Sequence, residues 1–159
     1  MMKFEMPVIT VSDISISRKF YEELIGLEVQ YDFGANIAFR DSISLWDRER
    51  ASEIVFGEPG RFGDDGEIKS VELYFESDDI EEVQDRLLEN GVEFIHTIKE
   101  EAWGQRNMRF LDPDGYVIEV GEPIENVVKR LHEEGYDTDE ISMKSQLPFE
   151  AVVKIISQF

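Results

Sequence analysis

Apolar and polar positions in the first 48 residues follow the periods of one helix and four strands. Residues 5–11 are rich in β-branched side chains, which favour a strand. Asp13 then suits the start of a helix whose apolar stripe runs to Ile25, and Gly26 is placed to end it as a C-cap. Three short strands are predicted next, over residues 27–33, 36–40 and 42–46.

The same order of elements returns later in the chain. A strand is predicted over residues 71–76, and Asp78, followed by a second aspartate, begins a helix that Gly91 ends. Three more strands complete this unit, over residues 92–97, 107–111 and 116–120. The interval from Asp13 to Gly26 equals that from Asp78 to Gly91, so the repeat is in register at about 65 residues. The sequence predicts an α+β fold of two tandem βαβββ modules, at about residues 3–48 and 69–121.

The connection between the modules is unusually long. Residues 49–68 contain four glycines, Gly57, Gly60, Gly63 and Gly66. A connection of this length without structure of its own exceeds the usual range. We expect a loop that is either a lid over a site or a slack linker.

The last two strands are joined by the sequence Asp112-Pro113-Asp114-Gly115. Proline fixes φ, aspartate accepts hydrogen bonds from its own backbone, and glycine takes dihedral angles that other residues avoid. The sequence predicts a tight turn here.

After the last strand the pattern becomes helical. Pro123 begins a helix that Gly135 ends, a second helix spans residues 138–145, and a third begins near Pro148. Three short helices are typical of a helix-turn-helix module, or of a buttress packed on the preceding domain or on a second subunit. Residues 123–159 contain seven acidic residues against four lysines and arginines, so the positive charge that nucleic acid requires is missing.

The composition limits which binding partners and which cellular location we expect for this protein. The chain has 36 acidic and 16 basic residues, a net charge of -20 and no cysteine. The charge repels nucleic acid and anionic lipid, and the lack of cysteine excludes disulfides, thiolate metal sites and cysteine nucleophiles. No apolar run has the length of a membrane span, and residues 1–6 lack the apolar core of a signal peptide. We expect a cytoplasmic protein with no nucleic-acid or membrane partner.

Two stretches of sequence carry a resemblance to a known family. They are ITVSDISISRKFYEELIGLEV in the first module, and VELYFESDDIEEVQDRLLENGVEF with WGQRNMRFLDPDGYVIEVGEP in the second. They resemble the vicinal-oxygen-chelate superfamily of glyoxalases, bleomycin-resistance proteins and dioxygenases. The resemblance implies that residues 1–122 form a half-barrel around a cavity, and that the chain forms a homodimer. The helical extension of residues 123–159 lies outside the common pattern.

The resemblance also implies four positions for metal ligands. In metal-using members these are usually His and Glu, on the first and last strand of each module. The corresponding residues here are Met6, Ser44, Glu72 and Glu119. A divalent first-row metal needs imidazole or carboxylate ligands, which the thioether of Met6 and the hydroxyl of Ser44 do not provide. We expect no cofactor and no tight metal site, and at most a hard cation held weakly by Glu72 and Glu119.

Glu72 and Glu119 are the candidate catalytic residues. Strand alternation places Glu72, Tyr74 and Glu76 on one face, and Glu119 on the face opposite to its apolar neighbours. If both glutamates enter one pocket, their like charges raise the pKa of one of them, which suits a general acid or base. The alternative is that a glutamate bonds Tyr74 or pairs with Arg106 or Arg109.

Five further side chains are candidates for ligand binding, because aromatic and charged groups recur in small-molecule sites: Tyr74, Trp46, His96, Trp103 and Arg106. Trp103 would stack on a planar group, and Arg106 would clamp a carboxylate or phosphate. The alternative is that residues 103–106 form an ordinary hairpin loop. His96 is either a base or a structural residue.

Three functions fit these observations. The first is a small-molecule binding protein of the bleomycin-resistance type, which holds an aromatic or cationic compound without a tight metal. The second is a metal-dependent, glyoxalase-like lyase or isomerase of the lactoylglutathione lyase type, which would use Glu72 and Glu119. The third is a ligand sensor whose C-terminal helices bind a partner. The substitution of two metal ligands favours the first.

Overall fold

The computed structural model describes residues 5–62 and 71–159. The chain divides into two compact units, Met1–Ser70 with Asp112–Tyr116, and Val71–Leu111 with Val117–Phe159. Each unit contains one mixed sheet of four strands, and neither sheet closes on itself within the described residues. The α+β fold of two tandem βαβββ modules is therefore confirmed, with helices after the second module.

The first sheet has the strand order β1-β4-β3-β2, with β1 parallel to β4 and the other pairs antiparallel. Its strands are β1 (Val8–Val11), β2 (Val29–Asp32), β3 (Asn36–Phe39) and β4 (Ser44–Asp47). Each observed strand is shorter than predicted, although β4 ends one residue later, at Asp47. The predicted positions along the chain are correct.

The helix between β1 and β2 begins and ends where the sequence predicted. Asp13 caps helix α1 (Ile14–Lys19), which continues as a π-helical segment, Phe20–Ile25. The Asp13 carboxylate accepts hydrogen bonds from two free backbone amides of the first turn. Gly26 ends the segment with φ of 88°, a left-handed conformation that side chains disfavour.

The prediction of a structureless connection over residues 49–68 was wrong in its first half. Helix α2 spans Arg48–Phe56, between the N-cap Asp47 and the left-handed Gly57. The helix forms because Asp47 accepts a hydrogen bond from the amide of Arg50 and because Ala51 is fully buried. Residues 63–68 of the connection lie outside the described residues, so whether the connection acts as a lid or a linker stays a prediction.

The turn at residues 112–115 is confirmed. The Asp112 carboxylate accepts hydrogen bonds from the amides of Asp114 at 2.9 Å and Tyr116 at 2.8 Å, and Gly115 has φ of 83°. The turn also completes the first unit. The buried Asp114 carboxylate accepts from the amide of Ser12 at 2.8 Å and pairs with Arg48 at 3.1 Å.

The second sheet has the order β5-β8-β7-β6, with β5 parallel to β8. Its strands are β5 (Glu72–Glu76), β6 (Phe94–Glu100), β7 (Arg106–Leu111) and β8 (Val117–Gly121), and helix α3 (Ile80–Glu89) follows β5. Alternate residues of the strands form the core of this unit with two residues of α3. The buried side chains are Leu73, Met108, Phe110, Ile118, Val120, Ile80 and Leu87.

The C-terminal extension consists of α4 (Ile124–Glu133), α5 (Thr138–Ser145) and α6 (Phe149–Ile156), as predicted. The three helices bury an apolar cluster of their own: Val127, Val128, Leu131, Ile141 and Val152. They belong to the same compact unit as the second sheet. No helix among the described residues is long and apolar enough to cross a membrane.

Candidate functional site

One face of the second sheet contains most of the predicted site residues. The strand register aligns Tyr74 with Glu119, Glu119 with Arg109, and Arg109 with His96. Paired residues and residues two apart share a face of a sheet. The polar face, as we name it, is formed by Glu72, Tyr74, His96, Asn107, Arg109 and Glu119.

Arg109 is the centre of the polar face. Its Nε donates to Glu72 at 2.9 Å, and its Nη1 donates to Glu101 at 3.0 Å. Its Nη2 contacts Glu119. One guanidinium therefore pairs with both candidate catalytic carboxylates. The sequence alone had left open whether a glutamate pairs with an arginine or acts as an acid or base.

Glu119 is the buried member of this group, with only 5% of its surface exposed. Burial raises the pKa of Glu119, and the neighbouring Glu72 carboxylate raises it further, while Asn107 and Arg109 act against this. Asn107 Nδ2 donates to Glu119 Oε1 at 2.7 Å. The shift has the direction expected for two carboxylates in one site, but its first cause is burial rather than like charge.

Asn107 has an unused hydrogen-bonding atom. The residue is fully buried, and its Oδ1 has no partner in the part of the chain that the structure describes. A buried acceptor without a donor is uncommon and costs free energy. The polar face therefore has one acceptor that could bond a further donor.

His96 contacts the same guanidinium. Its Nδ1 lies 2.9 Å from the carbonyl oxygen of Thr97, and its Nε2 lies 3.3 Å from Arg109 Nη1. A carbonyl only accepts and a guanidinium only donates, so the contacts fit the tautomer with the proton on Nδ1. His96 lies beside the candidate catalytic carboxylates as a hydrogen-bond acceptor for Arg109.

Tyr74 is linked to the hairpin between β6 and β7. Its hydroxyl donates to Glu76 at 3.0 Å and accepts from Gln105 Nε2 at 2.9 Å. Burial of this hydroxyl and the contact with Glu76 raise the pKa of Tyr74 to about 12. Trp103 Nε1 donates to Gln105 Oε1 at 3.1 Å, so the tryptophan is oriented by the same amide.

Arg106 lies on the other face of the strand. It precedes Asn107 by one residue, and strand alternation directs it away from the polar face. Its guanidinium pairs at 2.6 Å with Glu122 and at 2.6 Å with Glu81 of α3. Arg106 is thus engaged by the protein's own carboxylates, and the structure does not bring it to Glu72 and Glu119.

The remaining predicted residues belong to the first unit. Ser44 is buried, and its hydroxyl accepts from Asn36 Nδ2 at 3.1 Å and donates to the Ile37 carbonyl at 3.1 Å. Trp46 is two residues along β4 and shares the face of Ser44, as predicted. Met6 precedes β1 and is partly buried. None of these three side chains carries a charge.

Four residues of the site were not predicted as site residues: Asn107, Arg109, Glu101 and Gln105. The sequence RNMRFL could have identified two of them, because Asn107 and Arg109 alternate along this strand with the buried residues Met108 and Phe110. Arg109 had been considered only as a pairing partner for a glutamate. Glu101 could not be found by parity, because it lies in the turn after β6 rather than in a strand.

The comparisons with known proteins agree with this architecture. The profile of the glyoxalase-like domain family matches residues 4–125. An Agrobacterium tumefaciens str. C58 protein of unknown function has a crystal structure with 33% identity and a TM-score of 0.69, which covers 77% of this chain and 94% of that chain. The fold therefore defines a protein with two glyoxalase-type modules. The chain belongs to the glyoxalase-like domain family, within the vicinal-oxygen-chelate superfamily.

More distant structures share the fold. A lactoylglutathione lyase from Agrobacterium tumefaciens has 22% identity and a TM-score of 0.60, covering 77% of this chain and 94% of that chain. A glyoxalase/bleomycin resistance protein/dioxygenase from Nocardioides has 20% identity and a TM-score of 0.61, covering 77% of this chain and 83% of that chain. No curated protein matches this chain. The family match ends at residue 125, so nearly all of the helical extension lies beyond it.

Proposed function

We propose that this protein binds a small organic molecule at the polar face of its second module, and that it does so without a tightly bound metal. The ligand is of the aromatic or cationic class and carries hydrogen-bond donors. The observation that carries the proposal is the position of Arg109, whose guanidinium pairs with both Glu72 and Glu119.

The donor set argues against a tight metal site. Glu72 and Glu119 both pair with Arg109, so a metal could take the two carboxylates as direct ligands only by displacing this guanidinium. The hydroxyl of Ser44 is hydrogen-bonded in the first module. Among the described residues, no group of three or more His, Cys, Asp or Glu has an arrangement that could hold a metal ion. The residues therefore do not fit the metal that the superfamily would suggest.

The charge of the site favours a cationic group on the ligand. Four carboxylates lie on or beside the polar face, Glu72, Glu76, Glu101 and Glu119, against two cations, Lys99 and Arg109. When all are ionised, four negative and two positive charges leave -2. The unpartnered Asn107 Oδ1 supports a ligand with an N–H donor.

Three probes of the same shape would test this proposal: benzamidine, benzamide and benzoate, which are cationic, neutral and anionic. The indole signals of Trp46 and Trp103 in a proton–nitrogen NMR spectrum, assigned with Trp46→Phe, would report binding. We expect saturable shifts of Trp103 with benzamidine, weaker shifts with benzamide and none with benzoate. Equal responses to all three, or no response to any, would contradict the proposal.

Two variants and a metal titration complete the test. Glu119→Gln should weaken benzamidine binding, and Ser44→Ala, at the matching position of the first module, should not. Addition of Ni²⁺, Zn²⁺, Mn²⁺ or Mg²⁺ to protein without metal should leave the Trp103 signal and the benzamidine affinity unchanged. One tightly held metal per chain that is lost in Glu119→Gln would overturn the metal-independent part of the proposal.

The raised pKa of Glu119 favours a second function, a glyoxalase-like lyase in which Glu119 moves a proton. Thiol–aldehyde adducts are the substrates to assay, with and without the same four metals. Turnover that Glu119→Gln abolishes would support this function. A homodimer without nucleic-acid binding is also part of the proposal, and sedimentation with and without duplex DNA at low salt tests it.

A further inference from the structure

We infer that the C-terminal helices position part of the binding site, because Arg130 and Lys144 hold the hairpin between β6 and β7 in place. The hairpin carries the side chains of Glu101, Trp103 and Gln105. This inference rests on the proposed function insofar as it concerns ligand affinity. It gives the extension a role in the site that the family's own part of the chain does not supply, because the family match ends at residue 125.

The hairpin supplies three side chains to the site. Glu101 pairs with Arg109 at 3.0 Å, Trp103 donates to Gln105, and Gln105 donates to the Tyr74 hydroxyl at 2.9 Å. Its backbone is closed by two hydrogen bonds of 2.8 Å, from the amide of Glu101 to Gln105 and from the amide of Gly104 to Glu101. The orientation of all three side chains depends on the position of this short loop.

Helix α4 contacts the loop through Arg130. Its Nη2 donates to the carbonyl of Gly104 at 2.5 Å and pairs with Glu122 at 3.1 Å, while its Nη1 pairs with Glu100 at 3.3 Å. One side chain of the extension therefore bonds the tip of the hairpin, the end of β6 and the residue after β8. The Glu122 side chain is only 5% exposed, so this contact is shielded from solvent.

Helix α5 contacts the same loop. Lys144 Nζ pairs with Glu100 at 2.8 Å, on the strand that leads into the hairpin. A Cβ atom added at Gly104 would lie 3.3 Å from Lys144 Cε and 3.4 Å from Leu131 Cδ1, so the loop backbone packs directly on both helices. Gly104 also has φ of 85°, which other residues rarely adopt.

The extension is able to hold the loop because it has a core of its own. Leu131, next to Arg130, is fully buried in the cluster that α4, α5 and α6 form. Arg130 is thus fixed at its backbone by packing and at its guanidinium by three partners on the module. A positioning role follows, in which neither Arg130 nor Lys144 touches the ligand.

The test uses the full chain with Arg130→Gln, the milder Lys144→Gln, and Lys129→Gln as the control. Lys129 is an exposed neighbour of Arg130 on α4, so its replacement removes the same charge from the same helix. Hydrogen exchange of the amides of Glu101 and Gly104 and of the Trp103 indole reports the loop. The amide of Ile118 in β8 reports the sheet.

We expect Arg130→Gln to speed exchange of the three loop protons by about tenfold or more, with the Ile118 amide unchanged. Lys144→Gln should have a smaller effect in the same direction, and Lys129→Gln none. If Arg130→Gln fails to fold, Lys144→Gln decides the test. Exchange that rises equally in the loop and at Ile118, or loop exchange that does not rise, overturns the inference.

Benzamidine affinity separates the two proposals. Arg130→Gln should weaken it several-fold through the loop, and Arg130→Lys, which keeps the charge, should restore part of it. Wild-type protein that does not bind benzamidine would overturn the proposed function, and the exchange rates would still decide whether the extension holds the loop. A looser loop with unchanged affinity would overturn the positioning role.

Discussion

The two modules place different chemistry on the same framework. Ser44 and Glu119 are the two positions that the family resemblance matches on the last strands of the modules; Ser44 pairs with Val8 of β1, and Glu119 pairs with Tyr74 of β5. On the neighbouring strand, Ala38 pairs with Ser44 where Arg109 pairs with Glu119. A neutral pair in one module therefore corresponds to an ion pair in the other.

One interaction is common to both modules. Asn36 Nδ2 donates to Ser44 Oγ at 3.1 Å, and Asn107 Nδ2 donates to Glu119 Oε1 at 2.7 Å. The asparagine is at the matching position of β3 and β7. Each module therefore has an asparagine that donates to a side chain of the last strand. The accepting residue, Ser44 or Glu119, decides whether that side of the sheet is neutral or charged.

The largest effect should come from removing the cation of the charged module. Arg109→Ala leaves the buried Glu119 without its counter-ion, and we expect a loss of about 2–3 kcal/mol of unfolding free energy, less than for a fully buried pair. Arg109→Ala with Glu119→Ser copies the Ala38 and Ser44 arrangement. It should recover about half of that loss, because no buried charge remains unpaired. Urea denaturation measures both, and a double variant less stable than Arg109→Ala would contradict the comparison.

The common asparagine allows a direct test of the two modules. Asn107→Ala removes a hydrogen bond to a carboxylate and should cost about 2 kcal/mol, whereas Asn36→Ala removes bonds to neutral groups and should cost about 1 kcal/mol. Thermal and urea unfolding of the two variants give the difference. Equal costs would mean that the charge of Glu119 does not strengthen its bond to Asn107.

Gly121 occupies the position that Trp46 has in the first module. A Cβ there would lie 2.8 Å from Gln105 Nε2 and 3.2 Å from the Tyr74 hydroxyl. Gly121→Ala should displace the Gln105 amide from Tyr74 and cost about 1 kcal/mol. The Trp103 indole signal should shift with it. The loss of unfolding free energy caused by Gly121→Ala should be smaller in a Gln105→Ala background. An equal loss would show that the added Cβ does not act through its contact with Gln105.

The smallest effect should be in the pH dependence of stability. The pKa of Glu119 is raised in the folded chain, so the folded state binds more protons than the unfolded state just above pH 4.5. The stabilisation that protonated Glu119 gives the folded state is present at lower pH and is lost as pH rises through its folded pKa. The unfolding free energy of wild type relative to Glu119→Gln should therefore fall as pH rises above 4.5. Ser44→Ala relative to wild type should show no such slope.

The elements of the fold could be predicted because their signals are local. Asp13 and Gly26 bracket the first helix within 14 residues, and the turn at residues 112–115 contains every residue type that its dihedrals and hydrogen bonds require. The missed helix α2 also had local signals, since Asp47 and Gly57 flank it. The glycines that follow were given too much weight there.

The sites could be predicted only in part. Alternation correctly placed Glu72 and Tyr74 on one face of β5, whereas only the strand register shows that Glu119 of β8 shares that face. Arg106 is the predicted ligand clamp, whereas Arg109 enters the sequence prediction only as a pairing partner for a glutamate. A shift of three positions along β7 moves a side chain to the opposite face, so the two arginines have different partners.

The sequence by itself determined the two modules, the order of their strands and helices, and the parity that separates apolar from polar side chains. Those features depend on neighbours within a few residues along the chain. The tertiary structure decided which charges meet. Arg109 is 37 residues from Glu72 and 10 from Glu119, and Arg130 is 26 residues from the Gly104 carbonyl that it bonds. Strand register and helix packing bring these groups together, because hydrogen-bond and ionic contacts depend on distance in space rather than along the chain.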